Sequence, residues 1–332
     1  MRRLLKAATT LLGLGGAALT VPLVLGFLGR LHPLFDSLSH FRLHLAAAVA
    51  VAGLLLLAAP GWRRNGAAMV VLAVAAASVT LSPARRVVAA VDLPRPSYNL
   101  MQMNLRFDNP QPEAVFDLID REKPDVVTLE EVSEAWAARL PATEAAYPYR
   151  IVCPTLSYIG SVAILSRLPF AAPPRCSPGG SLAVATVDFD GRPAEVAALH
   201  LFWPWPFGQD RQVARLAPRV FAQIGSRAVL AGDFNATPWS ESVRTIAAAG
   251  GLRLAQWVGP SYLDRRLPDW LRPLAGLPID HVMTKGDIVA GRTMRLPAAG
   301  SDHLPVLFRF AIAEPPPAVR TAGDEGSRAV GQ

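Results

Sequence analysis

Three apolar runs occupy the first quarter of the chain: residues 7–28 (AATTLLGLGGAALTVPLVLGFL), 43–59 (LHLAAAVAVAGLLLLAA) and 66–82 (GAAMVVLAVAAASVTLS). Within them only His44 titrates near neutral pH. Each run approaches the ~20 residues with which an α-helix crosses the hydrocarbon core of a bilayer. In lipid every backbone polar group must be satisfied inside the segment, so helices are the form open to such runs. Residues 1–90 therefore predict a membrane anchor of about three transmembrane helices. The first run also fits a cleaved signal peptide, because MRRLLK supplies a basic start and GGAALT small residues; two spans then remain. Both readings make an integral membrane protein whose remaining chain lies outside the cytoplasm, in the periplasm or at the cell exterior. The Arg63–Asn65 turn between the second and third runs fits a cytoplasmic loop, whereas Arg85 and Arg86 after the third run oppose that charge bias.

The net charge of +7 suggests nucleic acid until it is divided along the chain. Residues 1–96 carry ten Arg or Lys against two acids, a net of +8; the remaining 23 basic and 24 acidic side chains nearly cancel, at −1. The basicity belongs to the anchor, and the region beyond it exerts no net pull on a polyanion. Its two cysteines, Cys153 and Cys176, are either free core thiols or, in an oxidising compartment, a disulfide. Residues 314–332 (EPPPAVRTAGDEGSRAVGQ) are rich in Pro, Gly and charge and predict a disordered tail.

From Ser97 short strand and helix patterns alternate, and their polar residues fall at strand ends. SYNLMQMNL delivers Asn104, DVVTLEEV ends in Glu130 and Glu131, PAEVAALHL reaches His200, and RAVLAGDFN reaches Asp233 and Asn235. PIDHVMT begins at Asp280, and GSDHLPVLFRF carries Asp302 and His303 at its start. YRIVC, GSVAILS and SLAVATVDFD read as further strands. Pro112 opens one helix, with Val115, Leu118 and Ile119 on one face; QDRQVARLAPRVFAQI is another, kinked near Pro218. Apolar strands that place polar side chains at one end build a shared cleft. Carboxylates, amides and two histidines there suit a hard cation and a phosphate ester, and oxygen donors suit Mg²⁺. There is no zinc-type Cys/His spacing, no Walker-type loop and no GxSxG turn. His281, next to Asp280 on a strand, would face the other way and pack.

Five ordered blocks, QMNLRFD, VVTLEEV, ALHL, LAGDFNATP with PIDHV, and GSDHLP, resemble the endonuclease/exonuclease/phosphatase superfamily over residues 97–313. The resemblance implies a four-layer α/β sandwich, two mixed β-sheets flanked by helices, following the transmembrane anchor. It implies metal ligation by Glu131, with Asn104 beside it and Asp302 as a second acid. Glu130 stands where the family usually has Gln, so either acid could be the ligand. The resemblance also implies that Asp233 orients or deprotonates the attacking water and that Asn235 contacts the phosphate. His303 would act at the scissile phosphate, oriented by Asp280, with His200 as a second histidine. Apurinic endonucleases carry an acid where this chain has Arg106, which instead suits bidentate contact with phosphate.

The implied activity is a Mg²⁺-dependent phosphoester hydrolase (Mn²⁺ being the alternative ion) at the bilayer. Its substrate is a phosphodiester or phosphomonoester, a lipid headgroup or nucleic acid, and no protein partner is inferred. The alternatives are a membrane-tethered nuclease and a non-catalytic binding module on the same fold. HLFWPWPFGQ (200–209), an aromatic loop beside His200, is either a hydrophobic plug or a rim for membrane or substrate; SYLDRRLPDWLRPL (261–274) would overhang the same cleft.

Overall fold

The computed structural model describes residues 2–82, 87–88, 90–154, 157–256 and 258–313; Arg85, Arg86 and the expected tail lie outside them. Helices α1 (Arg2–Leu25), α2 (Pro33–Ser39), α3 (Arg42–Leu57) and α4 (Arg63–Leu81) form the N-terminal bundle. α1 and α4 are each long and apolar enough to cross a membrane, whereas α3 passes that test only together with α2, from which it bends by 64°. α3 and α4 pack closely because glycines face each other. A Cβ on Gly53 would meet the Gly66 carbonyl oxygen at 2.8 Å, and one on Gly66 would meet that of Gly53 at 2.6 Å. Buried Arg42 sits over the Phe27 ring at 4.1 Å and donates through Nε to the Gly26 carbonyl, tying α3 to the end of α1.

The remaining elements run β1 (Val87–Val88), β2 (Tyr98–Asn104), α5 (Pro112–Glu122), β3 (Val126–Val132), α6 (Glu134–Arg139), β4 (Tyr149–Val152), β5 (Ser161–Ser166) and β6 (Arg175–Cys176). They continue with β7 (Leu182–Asp188), β8 (Pro193–His200), α7 (Gln209–Arg219), β9 (Ala228–Asp233) and α8 (Glu241–Gly250). The last are β10 (Arg253–Ala255), α9 (Arg272–Ala275), β11 (Asp280–Lys285), β12 (Ile288–Arg295) and β13 (Val306–Ile312). One sheet has the order β1-β10-β11-β9-β8-β7-β6, the other β12-β13-β2-β3-β5-β4. Both are mixed, with β8–β9 and β2–β3 parallel and most other pairs antiparallel.

Strand alternation builds the layers. Inward residues of both sheets, among them Leu100, Val126, Val196, Val229 and Phe308, share one buried core. Outward residues of the first sheet pack under α7 and α8 through Val213, Leu216, Val243 and Ile246. Those of the second pack under α5 and α6 through Val115, Leu118, Ile119 and Trp136. The result is the four-layer sandwich. α5 opens with Pro112 in its first turn and closes on Lys123 in the left-handed conformation. Pro218 falls in the last turn of α7, where it ends the helix. Gly232 serves close strand approach: a Cβ there would lie 1.9 Å from the Leu199 carbonyl oxygen on β8. Cys153 and Cys176 are joined in a disulfide, with Cα atoms 5.7 Å apart.

Candidate active site

Along each central strand the inward face changes from apolar to polar at the same end of the sandwich. On β2 the sequence is Leu100, Gln102, Asn104; on β3 it is Val126, Thr128, Glu130; on β8 Val196, Ala198, His200; on β9 Val229, Ala231, Asp233. These four strands end at the site, and β11 starts there with Asp280 followed inward by Val282. Register then fixes neighbours: Asn104 opposite Glu130, His200 opposite Asp233, and Asp233 opposite Asp280.

Asp233 is the hub and is almost fully buried. It accepts from Asn104 Nδ2 at 3.0 Å and from the Asn235 backbone N–H at 2.8 Å. His303 Nε2 lies 3.6 Å and His200 Nε2 3.8 Å from its Oδ2. Burial pushes the Asp233 carboxyl up to about 6, against the opposing pull of His303. His303 Nδ1 hydrogen-bonds Asp280 Oδ2 at 2.9 Å. Burial works against a charged His303, but the Asp280 and Asp233 carboxylates outweigh it and raise the imidazole to about 10. Burial likewise disfavours the Asp280 carboxylate, yet His303 holds it below the usual range. At neutral pH Asp280–His303 is thus an ion pair, while His200, lowered by burial, is neutral.

The two acids on β3 separate at a bulge. Pairing with β5 shifts register between Leu129 and Val132, and Glu131 takes a left-handed φ of 57°. Glu130 stays on the inward face, fully buried, accepting from Gln102 Nε2 at 2.8 Å; burial lifts it well above the carboxylate range. Glu131 turns to the cleft, accepting from Asn104 Nδ2 at 3.1 Å and the Phe107 backbone N–H at 2.9 Å. Burial raises its carboxyl too, with Asp302 adding like-charge repulsion. His200 Nε2 is 4.0 Å from Glu131 Oε1.

Two expected phosphate contacts are engaged elsewhere. Asn235 donates Nδ2 to the Leu201 carbonyl at 2.8 Å and lies 3.4 Å from Asp233 Oδ2, so it orients Asp233. The Arg106 guanidinium forks onto Asp108, at 2.7 and 3.1 Å. His281 is on the outward face, with Nε2 on the Ala236 carbonyl at 2.7 Å, its ring edge-on to Phe234, and its pKa pressed down to about 4 by burial.

Three supporting residues escape the sequence reading. Gln102 bridges Glu130 and Asp280, donating to the latter at 2.9 Å; its spacing from Asn104 was the available signal. Ser261 accepts from the Asp280 backbone N–H at 3.1 Å. Ser301 donates to the Asn104 carbonyl and accepts from the His303 N–H. Neither serine stands in a pattern that marks it. One ligand atom each of Asp233, Asp280 and His303 lie within 4.8 Å of one another, a grouping able to hold a metal ion.

The sequence model of the Endonuclease/Exonuclease/phosphatase family matches residues 101–303. No curated protein matches by sequence. Among solved structures the chain is similar to D. rerio TDP2 complexed with single-strand DNA product. That match has 14% identity and a TM-score of 0.54, covering 65% of this chain and 99% of that one. It is similar to an endonuclease/exonuclease/phosphatase from Beutenbergia cavernae (22% identity, TM-score 0.53, 66% and 72% covered). The 3′ phosphatase NExo from Neisseria, bound to a product DNA hairpin, is a third (18% identity, TM-score 0.53, 64% and 99% covered). With two mixed sheets converging on the carboxylate–histidine cluster inside the matched segment, the chain belongs to the endonuclease/exonuclease/phosphatase family, whose members hydrolyse phosphoester bonds.

Proposed function

We propose that this chain is a membrane-anchored, divalent-cation-dependent phosphoesterase whose catalytic domain lies outside the cytoplasm. The observation that carries the reading is the convergence of Asp233, both histidines and Glu131 on one small volume. Asp233, held by Asn104 and Asn235, accepts the proton of the attacking water. His303, kept cationic by Asp280, hydrogen-bonds a phosphoryl oxygen, and neutral His200 addresses the leaving-group oxygen.

The donor set fits a hard cation. Four carboxylates (Glu131, Asp233, Asp280 and Asp302) surround one cationic histidine, and the Glu131 carboxyl is raised. Glu131 and Asn104 would hold Mg²⁺ or Mn²⁺, with Asp302 beside them, since such ions prefer oxygen ligands. The Asp233–Asp280–His303 grouping is less suited, because a cationic His303 has no lone pair left to offer a metal. When bound, the ion supplies charge neutralisation to the phosphoryl oxygens.

The bilayer reading rests on the anchor's contacts. α2, between the first and second apolar segments, docks on the catalytic domain, so both lie on one side of the membrane. Asp36 accepts from the Glu241 and Ser242 backbone N–H groups at 2.7 and 3.1 Å, and Trp239 Nε1 donates to the Ser39 carbonyl at 2.7 Å. Three crossings, by α1, by the bent α2–α3 pair entered from the docked side and by α4, leave the N-terminus and the Arg63–Asn65 turn on the other side, where basic residues favour the cytoplasm. The disulfide agrees with an oxidising exterior. Exposed Trp203, Trp205, Phe207, Trp270 and Leu274 favour a cleft facing headgroups.

Hydrolysis of bis-p-nitrophenyl phosphate by the full chain should require Mg²⁺ or Mn²⁺, stop with EDTA, and be lost in Glu131→Ala, Asp233→Ala and His303→Ala. Full activity in His303→Ala sinks the mechanism. Alkaline phosphatase fused after Gln332 should be active; an inactive fusion places the domain in the cytoplasm.

A further inference from the structure

Between the docked segment of the anchor and the catalytic domain lies a cavity of about 160 Å³. On the catalytic side it is lined by Asn235, Tyr262 and Ile279, and on the anchor side by Ser37, His40 and Phe41, with the Trp203–Phe207 loop as its wall. It borders the active site at one end through two of its lining residues: Asn235 holds Asp233, and the Tyr262 ring lies 5.2 Å from that of His303. At the other end Phe41 immediately precedes α3, an apolar helix of the anchor. The aromatic loop is fastened to both sides. Trp203 meets Tyr262 edge-on at 6.3 Å, and the Trp205 carbonyl accepts from Ser37 Oγ at 3.3 Å.

We propose that this cavity receives the first carbons of an alkyl chain on an amphiphilic phosphoester, so that the anchor forms part of the substrate site. The inference rests on the phosphoesterase reading and names its substrate class. Apolar cavities of roughly 150 Å³ stay dry and take up a group of about six carbons. Among the described residues the lining has neither Lys nor Arg. A nucleic-acid strand asks for cationic side chains along its backbone, which this passage does not offer. His40 supplies one polar point. It is 4% exposed, its Nδ1 faces the Ser37 carbonyl at 2.9 Å, and its Nε2 has no partner, leaving one acceptor on the anchor side of the cavity.

The test uses the full chain in amphipol with Mg²⁺ and a series of p-nitrophenyl alkyl phosphodiesters, methyl to dodecyl, below their critical micelle concentrations. KM should fall at least tenfold from methyl to hexyl and level off beyond. Leu277 also lines the cavity; Leu277→Trp, which fills it, and Phe41→Ala, which removes its anchor-side wall, should each flatten that slope. The slope compares substrates within one preparation, so a smaller folded fraction does not alter it. A flat slope in the wild type with measurable turnover overturns the chain site and leaves the phosphoesterase intact. A slope that survives both variants also overturns it. Turnover of plasmid or oligonucleotide exceeding that of the hexyl ester replaces the amphiphile with nucleic acid. No turnover of any ester removes the phosphoesterase reading itself, and this inference with it.

Discussion

Asp280→Asn tests whether the buried ion pair, rather than the histidine alone, sets the chemistry. The change is nearly isosteric, and the Gln102 donor at 2.9 Å still finds a carbonyl oxygen. What is lost is the charge facing His303 Nδ1 at 2.9 Å, where an amide N–H₂ now meets a ring N–H or reverses the tautomer. Raising His303 from its ordinary value to about 10 corresponds to about 5 kcal/mol of differential interaction at roughly 1.36 kcal/mol per pH unit. Three carboxylates supply it, Asp280 ahead of Asp233 and Asp302. Removing the largest contributor should therefore bring the imidazole down toward its ordinary range. His303 titrates higher folded than unfolded, so its contribution is complete below pH ~6.5 and fades as pH rises toward 10. In the variant the fade should be complete at a lower pH. Turnover should fall by roughly 10²–10⁴, the range for removing the partner of a catalytic histidine. The assay is NMR titration of the His303 ring in the cation-free protein, with thermal unfolding at pH 6 and pH 9. A His303 resonance that titrates at the same pH in both proteins refutes the electrostatic account.

Other consequences are equally direct. Asp233 holds its proton up to about pH 6, so kcat/KM of the wild type should climb on an acid limb near that value; a limb near pH 4 would remove Asp233 as the proton acceptor. Glu131→Gln should weaken Mg²⁺ binding by calorimetry at least tenfold while Glu130→Gln, at a fully buried and already raised carboxyl, should leave it nearly unchanged. Replacing both Cys153 and Cys176 by Ser opens a loop spanning 23 residues, which should cost roughly 3 kcal/mol in denaturant unfolding. Asp36→Ala removes the side chain that accepts from the start of α8; a loss of about 1 kcal/mol and faster proteolysis between α1 and α3 are expected, and unchanged protection would mean that the docking contributes nothing.

The polar ends of β2, β3, β8, β9 and β11 were legible because strand alternation is a local property. Once Leu100, Val126, Val196 and Val229 face inward, the residues two and four positions on must face inward as well, and polar groups there can only sit at a cleft. Glu130 and Glu131 resisted the same logic. Simple alternation puts them on opposite faces, and the bulge that turns Glu131 to the cleft depends on register with β5, 30 residues downstream. β12 escaped for a related reason: Gly291, Arg292 and Arg295 interrupt its alternation, and its identity comes from pairing with β13. The serines at 261 and 301 are loop residues whose roles arise only when the loops meet β11 and β2. The N-terminal helices show the limit most plainly. Hydropathy finds the apolar runs, but Asp36 reads as a lone acid in a basic segment until the start of α8 arrives beside it. That contact changes the meaning of the apolar runs. Sequence presents them as a tether, whereas the Pro33–Phe41 segment supplies a hydrogen-bonded, partly buried wall to the catalytic domain. A domain cut free at Ser97 would therefore lose a wall of the cavity beside its site as well as the apolar helices.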